Sequence, residues 1–428
     1  MHGDFSNITF SPDRGYSTVF ALQGRVGLDA NRNEQTAILL HYLRTAMTDL
    51  VGPSAGPAGH LGFEISDIGT GGFSIGPGRY YVNGILVENP AKVTYAEQPY
   101  AYIDFDGDDK LPTGSYVVYL KVWERHVTEI EDPSLHEPAL GLHHPDSASR
   151  AQVVWQVRAL PLKRGQDALT RLAAETTPDR GTGILDVRTN RDDGTADAPC
   201  TAAPDASYTG ENQLYRVEIR RGGTAADGAT FVWSRDNGSV IHPISRIDGT
   251  KVKLTSPPRD RHMALEPGQW VEVVDDGVCL RRELGLPAGA APLHRITDVD
   301  PETLTITLAT VPAPLPSLDR HPYLRRWDHT DAESDGALPV TEGTWIPLEH
   351  GVEVHFHKAA ERGPAHEYRT GDYWTFAARR TLGDVIWPYR DGSPPHGVEY
   401  HVAPLAVVAR DKLTGLRTSF AVPLSPGT

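Results

Sequence analysis

Phe73-Ser-Ile-Gly-Pro-Gly-Arg-Tyr-Tyr-Val-Asn-Gly-Ile-Leu-Val-Glu88 is a series of short β-branched and aromatic runs broken by Gly-Pro-Gly and by Asn83-Gly84. Asn-Gly tolerates the positive φ that a two-residue hairpin turn requires, so the stretch reads as strands joined by tight turns. The same chemistry recurs outward from it. Tyr100 to Phe105 and Tyr116 to Glu124 flank an acidic turn, and Gln152 to Leu160 alternates Val153, Trp155 and Val157 with a second face. Further on, Asn212 to Arg220, Thr230 to Ser234, Lys251 to Leu254, Trp270 to Asp275, Leu293 to Val299 and Thr303 to Leu308 follow at short spacing. Asp236-Asn237-Gly238 predicts a hairpin between Trp233 and Val240. The chain is therefore expected to be mainly β, a multi-domain arrangement of β-sandwich and small β-barrel units.

A single segment reads as a long helix, Asn31 to Leu50, with Asn31 and Glu34 placed as a capping box and Gly52-Pro53 as the stop. Ile38, Leu39, Tyr42, Leu43, Ala46, Met47 and Leu50 recur at spacings of three and four, so the helix is expected to be amphipathic. Its stripe needs a partner, either the following β-domain or symmetry-related copies of the helix. The expected organisation is an N-terminal arm and helix (1–60), a first β-domain (61–161), a connector (162–210), a small barrel or sandwich (211–315) and a C-terminal β-domain (316–428).

Length and charge bound the function. The 428 residues suit about three compact units. With 41 Lys and Arg against 56 Asp and Glu, the net charge of −15 repels phosphate backbones, and nucleic-acid binding is not expected. The 41 glycines and 34 prolines favour turns over helical bundles. Cys200 and Cys279 lack the spacing of a metal pair and read as separate thiols. No leader-like start and no apolar run of membrane-spanning length is seen, so neither general secretion nor membrane insertion is expected.

Candidate sites are few, and each has a plainer reading. His355 and His357 would share one strand face and could hold a metal with Glu353, His366 or His401; solvated or hydrogen-bonded histidines explain them as well. His143 and His144 sit in a dense loop but need not converge. Asp104-Phe-Asp-Gly-Asp-Asp109 alternates carboxylates like a calcium loop, yet the required glycine falls on Asp109 and the closing glutamate on Ser115. Glu124, Glu129, Glu131 and Asp132 could supply paired carboxylates, and Ser147 or Ser149 with His144 a nucleophile and base, without a specific motif for either. The eight tryptophans read as core, with Asp372, Tyr373 and Trp374 as the exception that could meet a glycan or protein. No cofactor is expected and no catalytic residues are assigned.

Several long blocks carry a resemblance. Met1-His-Gly-Asp-Phe-Ser with Phe10-Ser-Pro, Gln23-Gly-Arg-Val-Gly-Leu-Asp-Ala-Asn-Arg-Asn-Glu-Gln35, Tyr119-Leu-Lys-Val-Trp-Glu-Arg-His126 and Glu131-Asp-Pro133 are joined by four more: Glu211-Asn-Gln-Leu-Tyr-Arg-Val-Glu-Ile219, Phe231-Val-Trp-Ser-Arg-Asp-Asn-Gly238, Tyr368-Arg-Thr-Gly-Asp-Tyr-Trp374 and Pro395-His-Gly-Val-Glu-Tyr-His401. Together they resemble a poorly characterised family encoded beside phage-tail-like contractile injection systems, over nearly the full chain. The helix and the Gly-Arg-Tyr-Tyr hairpin are also similar to head domains of phage baseplate or tail-fibre proteins. One block departs, at Gly141-Leu-His-His-Pro-Asp-Ser147, where the family has a Gly-Gly-Pro-Asp-Thr-like turn. The resemblance implies a structural part of a tail-like particle, assembled in the cytoplasm and released with it, whose partners are other particle proteins. Three-fold and six-fold tail components make a homotrimer the simplest stoichiometry. The expected contact residues are Phe5, Ile8, Phe10 and Tyr16 of the arm with Ile38, Leu39, Tyr42 and Met47 of the helix. A glycan- or receptor-binding module and a carbohydrate-acting enzyme are the rival expectations.

Overall fold

A computed structural model describes residues 2–69, 72–100, 111–141, 147–175, 180–190, 207–283, 290–329, 335–409 and 412–421. Strands dominate, as expected, and a closed six-stranded barrel is present. Three α-helices occur among the described residues: α1 (Asp29–Val51), α2 (Ala168–Glu175) and α3 (Asp276–Glu283).

The chain divides into two compact units, each assembled from discontinuous segments. The first comprises Met1–Ile8, His126–Ala151 and Arg180–Val398, and the second Thr9–Arg125, Gln152–Asp179 and Glu399–Thr428. This differs from the five consecutive segments expected from the sequence. The reason is strand exchange at long range: His401–Ala409 pairs antiparallel with Tyr116–Val127 and so belongs with the N-terminal half. Pro312, Pro314 and Pro316, at the expected boundary between the fourth and fifth segments, lie inside the first unit.

In the second unit, Gly78–Val82 and Ile85–Asn89 form the expected hairpin, and Asn83 (φ 45°) and Gly84 (φ 75°) close it. Both central residues have positive φ, the type I′ pattern whose twist matches the strands. Alternation then sends Tyr80, Val82, Ile85 and Val87 inward to join Phe63, Trp155, Val118, Leu120 and Leu405 in one core. Phe63 meets Trp155 edge-on at 5.1 Å between ring centroids.

The turn of this hairpin also seats α1. A Cβ added to Gly84 would fall onto the backbone of Arg44, and φ there is already in the left-handed region. Gly84→Ala is expected to cost about 1–3 kcal/mol through this overpacking and strain. Gly15 has a similar φ of 64° but open space around it, so Gly15→Ala should cost about 1 kcal/mol or less. Thermal melts of the two variants check the contrast, and equal losses would remove the steric explanation.

In the first unit, a five-stranded sheet runs Leu338–Pro339, Thr230–Ser234, Gln213–Arg221, Tyr373–Arg379, Asp384–Ile386. A three-stranded sheet, Trp345–Pro347, Val352–Phe356 and Leu185–Thr189, contributes to the same apolar cluster. Tyr215 stacks on Phe376 at 5.3 Å within it. The barrel is built from Ile241–Asp248, Lys251–Leu254, Thr305–Leu308, Leu293–Asp300, Trp270–Val274 and Tyr323–Trp327, in that cyclic order.

The hairpin expected at Asn237-Gly238 is not formed. Its two residues do adopt positive φ (51° and 64°), but Thr230–Ser234 pairs with Gln213–Arg221 while Ile241–Asp248 enters the barrel. The turn redirects the chain between sheets instead.

Candidate assembly surface

Helix α1 starts two residues before the expected Asn31. Leu28 occupies the cap position without a side-chain hydrogen bond, so the predicted capping box is absent. Glu34 instead accepts a hydrogen bond from the Thr9 hydroxyl at 2.7 Å, and Gln35 accepts from Thr18 Oγ1 and the Val19 amide. Phe10 packs on His41 at 5.9 Å. The arm thus packs against its own helix. On another side, Arg44 makes a bidentate bond to Glu124 at 2.9 and 2.7 Å, and Ile38 is buried.

These contacts leave several large apolar side chains of the helix bare. Leu39, Leu40, Tyr42, Leu43 and Leu50 are 60, 40, 52, 59 and 80% exposed. The single amphipathic stripe of the sequence reading is therefore corrected to two apolar faces. Ile38 belongs to the inner one, Met47 is half-buried, and Leu39 and Tyr42 belong to the outer. Along the arm, Phe20, Leu22, Val26 and Leu28 are also exposed. Scattered exposed leucines are ordinary, but so many on one helix and the segment leading into it mark an interaction surface.

The remaining arm contacts divide. Ile8 and Tyr16 are exposed, Phe10 is held by His41, and Phe5 lies half-buried against His126 at 6.2 Å. Before Phe5 the chain enters a buried ionic cluster of the first unit. His2 Nε2 lies 2.8 Å from Glu218 Oε2, Asn237 Nδ2 donates to the Gly3 carbonyl, and Gly3 is buried. Arg216 donates to Glu218 at 2.6 Å, and the fully buried Glu272 accepts from Arg220 (2.6 Å), Arg282 (2.7 Å) and Arg325 (3.4 Å). Burial acts to raise the pKa of Glu272, but Arg282, Arg220 and Arg325 outweigh it and bring it to about 2. Burial lowers that of His2, with Arg216 and Arg325 adding to the effect, so the imidazole docks neutral.

Other expected sites resolve differently. Asp372 and Trp374 are buried: Asp372 accepts from the Gly181 amide at 2.5 Å, and the Trp374 indole donates to the Ser393 carbonyl at 2.8 Å. Tyr373 is half-buried beneath the Arg216 guanidinium, 3.5 Å from its ring centroid. The proposed ligand contact at these three residues is corrected to core structure. His355 and His357 do share a strand face, 5.0 Å apart, but Glu353 is engaged by Arg188 at 2.7 Å. Among the described residues no group of three or more His, Cys, Asp or Glu is arranged to hold a metal. His143, His144, Cys200 and Asp104 to Asp109 lie outside the described residues, whereas Cys279 is half-buried with its Sγ 3.2 Å from the Tyr323 hydroxyl. Glu124, considered as a catalytic carboxylate, is the structural partner of Arg44.

No helix among the described residues is long and apolar enough to cross a membrane. No curated protein matches the chain, and no solved structure does. One family model matches residues 1–181 and 182–407, almost the whole length. By that coverage the chain belongs to the family described as Family of unknown function (DUF6519).

Proposed function

We infer that this chain is a structural component of a phage-tail-like contractile injection particle, placed at the baseplate or serving as a tail fibre or its adaptor, and that it acts by assembly. The observation carrying this reading is the group of exposed apolar side chains on α1, Leu39, Leu40, Tyr42, Leu43 and Leu50, flanked by an arm that exposes Phe20, Leu22 and Val26. Such surface is costly to leave in water, at about 25 cal/mol per Å², and is stabilised by association. The long sequence blocks that resemble injection-system proteins supply the kind of machine. Assembly in the cytoplasm and release with the particle go with this reading.

The test is incorporation. A tagged chain is expected to sediment with purified tail-like particles, and Phe20→Glu with Val26→Glu to leave the chain folded but in the supernatant. Intact particles that form without the chain and never carry it would overturn the reading.

A further inference from the structure

We propose that residues 2–6 form a separable strap, and that their seat on the first unit is a reversible peptide-binding site selective for a His-Gly-x-Phe segment. The inference stands apart from the assembly reading, because the occupant is the chain's own N-terminal segment.

The seat is specific for side chains and backbone alike. His2 Nε2 reaches Glu218 Oε2 at 2.8 Å, and its ring meets the Trp327 indole edge-on with centroids 6.4 Å apart. A Cβ on Gly238, whose φ is 64°, would lie 2.6 Å from His2 Cδ2, so glycine there leaves room for the imidazole. Gly3 is held from both sides: its amide donates to the Asn237 carbonyl at 3.4 Å, and Asn237 Nδ2 donates to the Gly3 carbonyl at 3.0 Å. Arg216 Nη1 donates to Asn237 Oδ1 at 3.3 Å, which fixes the orientation of that amide.

The next residues complete the recognition. A Cβ on the buried Gly3 would fall 2.6 Å from the Phe5 ring, so the fold-back of Phe5 requires glycine at that position. Phe5 then lies beside His126 at 6.2 Å, and Arg379 Nη2 donates to the Ser6 carbonyl at 2.6 Å. His2, Gly3 and Phe5 are therefore specified, whereas the exposed Asp4 is not. A few enclosed anchors flanked by indifferent positions are what gives a short peptide its affinity.

The strap is separable because the fold does not run through it. Residues 2–8 belong to no helix or strand, so leaving the seat breaks no sheet ladder. Glu218, Trp327 and Arg379 stand on Gln213–Arg221, Tyr323–Trp327 and Tyr373–Arg379, which pair with other strands of the first unit. Glu218 keeps Arg216 at 2.6 Å when His2 departs, so the emptied seat does not strand a buried carboxylate. A seat already formed demands little ordering when its ligand returns.

The test is binding in trans. The chain lacking residues 2–6 is expected to fold with an unchanged far-ultraviolet circular dichroism spectrum. It should bind the peptide Met-His-Gly-Asp-Phe-Ser-Asn-Ile, labelled at its C-terminus and followed by fluorescence anisotropy, at least tenfold more tightly than the intact chain, whose own strap competes. His2→Ala or Gly3→Ala in the peptide should weaken binding at least tenfold, and Asp4→Ala should leave it unchanged. The full-length His2→Ala chain provides a second route: its loosened strap should let the labelled peptide in, and adding Gly238→Ala should abolish that uptake. No binding to either chain at about 1 mM peptide overturns the proposal. So do equal affinities of the His2→Ala and Asp4→Ala peptides, uptake that survives Gly238→Ala, and a deletion chain that no longer folds, which would make residues 2–6 part of the core.

Discussion

Glu272→Gln is expected to lower the unfolding free energy of the first unit by about 3–5 kcal/mol, in chemical denaturation followed by circular dichroism. The substitution keeps the shape of the side chain and one acceptor oxygen but turns the other into an amide donor facing guanidinium groups, so its effect reports the lost charge together with the lost acceptor. Glu272 is the common acceptor for Arg220, Arg282 and Arg325, all buried. Without its carboxylate these guanidinium groups face one another in a dry region with Glu218 as the remaining nearby anion, which already serves Arg216. An exposed pair provides the control. Arg188 and Glu353 are 2.7 Å apart with the arginine about half exposed, and Glu353→Gln should cost under about 1 kcal/mol. The sign with pH follows from the lowered pKa. Glu272 contributes stability above its unfolded value near 4.5, and this is lost as the pH falls towards about 2. A Glu272→Gln loss no larger than that of Glu353→Gln would show that the cluster is relaxed or hydrated, and would remove it as the seat of the N-terminal residues.

This cluster also shows where sequence reading stops. In Gln213–Arg221 the odd positions Tyr215, Val217 and Ile219 are apolar and the even positions Arg216, Glu218 and Arg220 are charged. Period-two alternation of this kind describes a half-solvated strand. Here both faces are buried, because the charged side is covered by the barrel strand bearing Glu272 and by Arg282 of α3. Only long-range pairing of charges makes that burial tolerable, and such pairing leaves no local pattern. Trp374 is a smaller case: one step into Tyr373–Arg379, alternation turns it inward, although with Asp372 and Tyr373 it read as a contact for a glycan or protein. By contrast, the Asn83-Gly84 hairpin and the extent of α1 were legible, since each depends on a few adjacent residues. The two faces of α1 were only half legible. Spacing placed Ile38 beside Leu39, but that Ile38 is buried and Leu39 exposed depends on tertiary packing, which leaves no local pattern.

Stability should fall by at least about 3 kcal/mol between pH 7 and pH 4.5, before most carboxylates titrate. Three histidines of the first unit, two buried and one half-buried, drive the change. His242 Nε2 lies 2.9 Å from the Met263 carbonyl, and burial brings its pKa to about 4, with Arg326 adding to the effect. His329 Nε2 bonds the Gly336 carbonyl, and burial likewise brings it to about 4, where the raising influence of that bond and of Asp328 is outweighed. His2 is lowered in the same direction. Each folded value lies below the unfolded value near 6.5, so the unfolded chain binds protons that the native state does not. The stability of these sites is therefore complete above about pH 6.5 and declines as pH falls towards 4. At 1.36 kcal/mol per unit, His242 and His329 together lose about 5 kcal/mol by pH 4.5. Glu349 acts against them. Its pKa is raised by burial to about 6, so the native state gains a proton first, offsetting about 2 kcal/mol over the same range. Urea melts at half-unit pH steps measure the balance, and His329→Gln should flatten the profile by about 2–3 kcal/mol while Glu349→Gln should steepen it. A profile that stays level to pH 4.5 in the wild-type chain, or one that His329→Gln leaves unchanged, would mean that these imidazoles are already reached by water in the folded state.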